Sequence, residues 1–300
     1  MFVQMNMSEL DKQQLISDRS TGLGGTDAGA ICGISPWRSA VDVFMEKTNQ
    51  EVKSNNPDPK KIHILEMGNR LENTVIDVFE DRTGIKVQRD IPVIRHAKFS
   101  YLLAHVDGLI DKKDGTKGVF EAKTAGSNAV FNKTWGNQTQ GMCDKTDIPI
   151  QYWYQCQWYM TITNRTFCYL AVLLGGIDDF RYYYFERDYM LSVQMRKKMK
   201  DFWLNNVQKR VAPPAQSQKD SMQLHPKQDS DEMRASNERI LKVTLKNKAI
   251  RLKLKSLFNQ KEKLDGIITE YIGKHKGISH DGRIIATWKD SKRGRILKLY

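Results

Sequence analysis

Asp107, Glu121 and Lys123 are the residues most suited to chemistry in this 300-residue chain. They lie in the stretch Leu102–Thr124, LLAHVDGLIDKKDGTKGVFEAKT. The pattern is an aspartate, a gap, and then Glu-x-Lys. On a strand, side chains two apart share a face, so Glu121 and Lys123 point one way and Ala122 the other. Two carboxylates beside one ammonium suit hard cations such as Mg²⁺ or Mn²⁺, which keep several waters and bind phosphate oxygens. A lysine at that place can steady an attacking water and the charge that builds on phosphorus. The same three residues also suit a plain surface hairpin with a cross-strand salt bridge.

Two strands must position this trio. The first is expected at Leu102–Ile110 and carries Asp107; the second is expected at Val119–Thr124. KKDGTKG supplies the turn, with Asp-Gly at its tip. A turn centred near Asp114 brings Asp107 within one residue of the position opposite Glu121. Ahead of them, His63–Thr83 reads as a long amphipathic helix with Ile64, Leu65, Leu71, Val75, Ile76 and Phe79 at helical spacing. Glu72 lies near its apolar stripe, which is unusual for a carboxylate. It is either a further acid aimed at the trio or a surface Glu paired with Arg70 or Lys61. A helix is also expected after Pro149, over residues 148–164, where Gln151 and Gln155 share a face one turn apart.

The glycine-rich run TGLGGTDAGAICGISPW, residues 21–37, lacks the spacing of a dinucleotide fingerprint. Thr26 or Asp27 is expected to cap a helical turn over Ala28–Cys32. Such a loop offers free backbone N–H groups to a phosphate, and Arg19 just upstream could add a fork of donors. A tight turn with no ligand fits the run equally well. The remaining elements are a helix at Ser8–Ser20, a helix at Ser39–Thr48, a loop at Lys53–Lys61 and a strand at Ile85–Ile94. Further on come a loop over 125–147, strands at Phe167–Gly175 and Asp179–Glu186, and a helix at Asp188–Val207.

Charge divides the chain. Residues 234–300 hold 18 Lys+Arg against 6 Asp+Glu, a net +12, which leaves +1 for the rest of a chain whose total is +13. This fits a polyanion-binding tail or a solvated helix face. Residues 212–230 have the Pro-, Gln- and Ser-rich composition of a linker. Glu232–Ile272 reads as one long helix or a helical hairpin with near-heptad apolar steps, either a partner seam or a helix packed on its own tail. Residues 278–300 read as a β-hairpin. The organisation is then a core at 1–211, a linker at 212–231 and an appendage at 232–300. The four cysteines are too scattered for a zinc or iron–sulfur site or a disulfide framework, which fits a reducing cytoplasm. No apolar run is long enough to cross a membrane, and the amino terminus does not read as a secretory signal.

Asp, a gap and Glu-x-Lys form the signature of the PD-(D/E)xK nucleases. The ordered segments RSTGLGGTDAGAI, MGNRLE, AHVDGLI, FEAK and YQCQWYM together resemble the YqaJ-like viral recombinases, the family of the bacteriophage lambda exonuclease. The resemblance covers roughly residues 19–160. It implies an α/β fold with a restriction-endonuclease-like core, a twisted mixed sheet with helices on both faces, beside a basic helical and β-hairpin appendage. It implies that Asp107, Glu121 and the backbone carbonyl of Ala122 bind Mg²⁺ or Mn²⁺, that Lys123 positions and activates the attacking water, and that Glu72 and Gln155 complete the centre. Arg19 and Thr26 match positions that hold a terminal 5′ phosphate. His105 stands where the lambda enzyme has a small serine. The implied activity is 5′-to-3′ digestion of linear double-stranded DNA, leaving 3′ tails for strand annealing and recombination. The implied partners are DNA ends, a phage single-strand annealing protein and further copies of the chain, a trimeric ring being one form. Two alternatives stay open: a metal-dependent endonuclease of the same superfamily, and a DNA-binding recombination partner without catalysis.

Overall fold

The computed structural model describes residues 21–49, 58–126, 135–136, 143–175, 179–292 and 294–300. The helix expected at Ser8–Ser20, with Arg19, lies outside them. The chain divides into two compact units, 1–228 and 229–300.

The first unit is built on a four-stranded mixed sheet, in the order β3 (Gly108–Asp111), β4 (Lys117–Ala125), β5 (Phe167–Leu174) and β6 (Asp179–Glu186). β3 and β6 run antiparallel to their neighbours, while β4 and β5 are parallel. A parallel pair needs a crossover, and the helix Ile150–Thr163 lies on that connection. Counting in chain order, the helices of this unit are α1 (Gly25–Ile31), α2 (Ala40–Lys47), α3 (Pro59–Thr83), α4 (Ile150–Thr163), α5 (Tyr189–Phe202) and α6 (Gln218–Leu224). A π-helical turn, Trp203–Val207, extends α5.

Strand alternation sorts the sheet into two cores. Val119 on β4 and Cys168, Leu170 and Val172 on β5 join Trp158 and Met160 of α4 on one face. Phe120, Ala122, Phe167 and Ala171 join Val75, Ile76 and Phe79 of α3 on the other. Helices therefore cover both faces, as a sheet buried on both sides requires. Glu121 and Lys123, alternating with Phe120 and Ala122, fall on the α4 side.

Several expected elements are corrected. The strand expected at Leu102–Ile110 is broken in two: β2 (Leu103–Ala104) pairs with β1 (Ile94–Arg95), and β3 pairs with β4. The chain changes partner between them, and Asp107 sits in the bend just before β3. No continuous strand forms over Ile85–Ile94. Gln88 makes one isolated bridge to Leu109, and Asp90 then takes a left-handed backbone, φ 56°, which ends any extended run. α1 is capped by Gly24, not by Thr26 or Asp27. Asp27 is the third residue of α1, and its carboxylate accepts from the Gly24 N–H at 2.9 Å. Pro59 opens α3, inside the expected loop. The linker-like stretch holds α6, docked on α2 where Lys219 and the Gln223 amide both reach Asp42 at 3.1 and 2.7 Å.

The second unit holds the helix α7 (Glu238–Ile272) and a sheet of β7 (Gly277–His280), β8 (Arg283–Ser291) and β9 (Gly294–Leu299). The expected hairpin is therefore three-stranded, with β7 added along β8. The apolar side chains of α7 are mostly exposed; burial among its described residues is confined to the last turns, where Ile268 is half-buried and Ile272 buried, and Arg295 of β9 bonds the Gly273 and His275 carbonyls just past the helix. No helix among the described residues is long and apolar enough to cross a membrane.

Candidate active site

The site forms where β4, the bend before β3, α3 and α4 meet. The β3–β4 register pairs Gly108 with Phe120, so the preceding Asp107 faces Glu121 one step along the ladder. The Asp107 carboxylate is tied to β4 directly: Oδ2 accepts a hydrogen bond from the Ala122 N–H at 2.8 Å. Glu121 is 1 % exposed, beneath α4. Its Oε1 accepts from the Gln155 amide at 2.7 Å and is ion-paired with the Lys123 ammonium. The Gln155 amide also donates to the Tyr159 hydroxyl at 2.9 Å. Gly25 makes this packing possible, because a Cβ there would collide with the Tyr159 ring and press on the Gln155 side chain. The start of α1, including the exposed Thr26, is thereby set beside Gln155.

The electrostatics show a site with more negative charge than its own lysine neutralises. Burial, then the charge of Asp107, push the Glu121 carboxyl well above its usual range, with Lys123 pulling the other way. Burial and Asp107 likewise raise Glu72 to about 7, again against Lys123, with Asp90 adding to the rise. Burial would discharge Lys123, but Glu121 and Asp107 outweigh it and hold the ammonium above its ordinary value. The two carboxylates thus favour the charged form of Lys123.

Glu121 Oε2 is buried with no hydrogen-bond partner. An orphan carboxylate oxygen in a dry site is costly unless something supplies positive charge. The donor set here is oxygen: Asp107, Glu121 and the nearby Glu72, with the Ala122 carbonyl on the same strand. That set fits Mg²⁺ or Mn²⁺ and not a soft metal. Among the described residues no three His, Cys, Asp or Glu side chains gather closely enough to hold a metal ion by themselves. An ion that keeps most of its waters does not need such a set.

The structure thus brings together Asp107, Glu121, Ala122, Lys123 and Gln155, with Glu72 half-buried within electrostatic reach. Gln157 is separate: it donates to the Glu186 carbonyl at 2.9 Å and accepts from the Asp188 N–H at 2.8 Å, a joint between α4, β6 and α5. Asp27 is not a ligand group but a buried anchor, paired with Arg38 at 3.2 Å and Lys47 at 3.3 Å.

Aromatic residues beside the trio went unassigned from the sequence. Lys123 Nζ lies 5.3 Å from the Tyr152 ring, which stacks on Trp135 at 5.6 Å and faces Trp37 at 6.3 Å. Trp37 is 64 % exposed. The helical spacing of Tyr152 and Tyr159, three before and four after Gln155, was the available signal.

The YqaJ-like viral recombinase domain matches residues 16–166. The YqaJ protein of Bacillus subtilis (strain 168), itself uncharacterized, is 31 % identical over 208 residues, which make up 69 % of this chain. The match spans 60 % of that relative's length. Among solved structures, an alkaline exonuclease (LHK-Exo) from Laribacter hongkongensis is similar at 15 % identity and a TM-score of 0.49 over 66 % of this chain and 94 % of that one. A phage-related exonuclease from Haemophilus somnus 129PT is similar at 12 % identity and a TM-score of 0.44, over 63 % and 95 %.

Proposed function

The chain belongs to the family of YqaJ-like viral recombinase domains, and from that membership and its site we propose that it is a metal-dependent exonuclease of linear double-stranded DNA. The observation that carries the reading is the buried Glu121, with one oxygen held by Gln155 and Lys123 and the other left without a partner beside Asp107.

A Mg²⁺ or Mn²⁺ ion held by Asp107, Glu121 and the Ala122 carbonyl would supply Lewis-acid polarisation of the scissile phosphate and a more acidic bound water. The residues do the rest. Asp107 is fixed by the Ala122 N–H, which sets the direction its carboxylate faces. Gln155 holds the Glu121 carboxylate in place and is itself oriented by Tyr159. Lys123, kept charged, orients the attacking water and offsets the charge that grows on the phosphate oxygens. Glu72, with a pKa of about 7, can exchange a proton near neutral pH.

The finer reading is 5′-to-3′ digestion from 5′-phosphorylated ends, leaving 3′ tails for annealing and recombination. Thr26 at the start of α1 and Arg19 upstream would hold the terminal phosphate. An annealing protein and further copies of the chain, a ring among their arrangements, would act with it in the host cytoplasm.

The test is release of acid-soluble nucleotides from linear and covalently closed duplexes, with 5′-phosphate or 5′-hydroxyl ends. Digestion confined to linear DNA, fastest from phosphorylated 5′ ends, is expected. Cutting of closed circles would assign an endonuclease instead, and binding without hydrolysis would leave an architectural role.

A further inference from the structure

Within the described residues of the second unit, α7 is a long helix that leaves most of its apolar residues unpacked. α7 runs for 35 residues. Its large apolar side chains from Ile240 to Tyr271 are exposed except for the half-buried Ile268, and Ile272 at its end is buried. A lone helix in water is marginal, and it is burial of an apolar stripe that normally holds one. The stripe exists. Ile240, Asn247, Leu254, Lys261 and Ile268 recur every seven residues. Val243, Ile250, Leu257, Leu264 and Tyr271 follow each of them by three. This is the alternating three–four step of a coiled-coil seam, sustained over five heptads.

We propose that α7 is the interface of a parallel, two-stranded coiled coil with a second copy of this chain. The area suffices. Seven of the eight apolar seam residues are 49 to 78 % exposed. Covering on the order of 100 Å² at each of these seven gives about 700 Å² per helix, within the range one partner contributes to a stable interface.

The polar seam residues set the partner and the direction. In a parallel pair in register, Asn247 meets its own copy and the two amides can bond each other, the known use of a seam asparagine. In an antiparallel pair with the seam aligned, Asn247 would lie against Leu264, and Lys261 against Ile250, leaving polar groups buried among leucine and isoleucine. Lys261 is already drawn off the seam, paired with Asp265 one turn on at 2.6 Å, and its long stem lets the ammonium stay in water. Lys246 and Arg251 flank the seam and face each other across a parallel pair. Their repulsion is screened by salt. Assembly through α7 should therefore strengthen as salt rises, the opposite of a contact with nucleic acid.

The claim does not depend on the nuclease reading, and its test does not read hydrolysis. Sedimentation equilibrium of the full chain would compare the wild type with Ile250→Glu/Leu254→Glu. Both positions are exposed in the single chain, so the substitutions leave its fold intact; circular dichroism would check this. The wild-type mass is expected to be an even multiple of 34.7 kDa, to halve in the double variant, and to form more readily in about 0.5 M salt than in about 0.05 M. Val243→Cys should cross-link two chains on oxidation, above the background of the native cysteines. A wild-type mass of one chain, a mass unchanged by the double variant, or an assembly that weakens with salt would each overturn the proposal. Assembly without the Val243→Cys cross-link would overturn the parallel alignment.

Discussion

Replacing Gln155 by leucine removes two hydrogen bonds, one of them to the Glu121 carboxylate, without opening much space. That contact is the 2.7 Å bond from the amide to Glu121 Oε1. Glu121 is 1 % exposed, so water cannot take the amide's place. A hydrogen bond to a charged group is worth about 1.5–3 kcal/mol. If Glu121 acts as a carboxylate in the rate-limiting step, that loss corresponds to roughly a 10- to 150-fold fall in rate, at about 1.4 kcal/mol per tenfold. The Tyr159 hydroxyl loses its donor as well, so a modest drop in melting temperature should accompany the kinetic loss. The assay is single-turnover digestion of a linear duplex at saturating Mg²⁺, with thermal unfolding as the control for folding. A Gln155→Leu protein that melts normally and digests DNA within twofold of wild type would refute the idea that this amide fixes Glu121.

Three further outcomes follow from the same geometry. Phe79 is fully buried against the rings of Phe120 at 4.8 Å and Tyr169 at 5.2 Å, so Phe79→Ala should cost about 3–5 kcal/mol in urea unfolding. Asp42 and Asp220 hold α6 against α2, and both carboxyls sit below their ordinary 3.8: burial opposes this but is outweighed, at Asp42 by hydrogen bonds from Gln223, the Ser39 backbone and Lys219, and at Asp220 by those from the Ser39 hydroxyl, the Gln216 backbone and the Ser217 hydroxyl and backbone. A lowered folded pKa adds stability above the unfolded value that is lost as pH falls through it, so acid unfolding should begin below about pH 4, and Asp42→Asn should flatten that limb. Trp37 is exposed beside the Tyr152 ring, so Trp37→Ala should weaken DNA binding in a filter or anisotropy assay by roughly 5- to 100-fold, the value of one base stacked on an aromatic ring.

The trio was legible because its logic is local. A two-residue period puts Glu121 and Lys123 on one face, and a short turn sets Asp107 opposite, which is the register observed. Glu72 and Gln155 were legible as polar residues near apolar helix stripes. The errors fall where distant partners decide the local state. Leu102–Ile110 has the composition of one strand, yet its first part pairs with Ile94–Arg95 and its last part with β4; no residue between them announces the switch. The cap of α1 was misplaced because Gly24 has no side chain to signal it, while Asp27 acts from three residues on. The linker composition of 212–230 hid a short helix whose hold on the core is made through Asp42, far away in sequence. β7 was missed because Gly277–His280 is short and half polar, and it is ordered by pairing along β8.

The most direct test of the central claim compares the wild type with Lys123→Ala on a linear, 5′-phosphorylated duplex, with and without Mg²⁺, reading both acid-soluble nucleotide and bound DNA. The account predicts Mg²⁺-dependent release by the wild type, and in Lys123→Ala a loss of release with DNA still bound. Release that persists in Lys123→Ala, or that proceeds without a divalent cation, would contradict it.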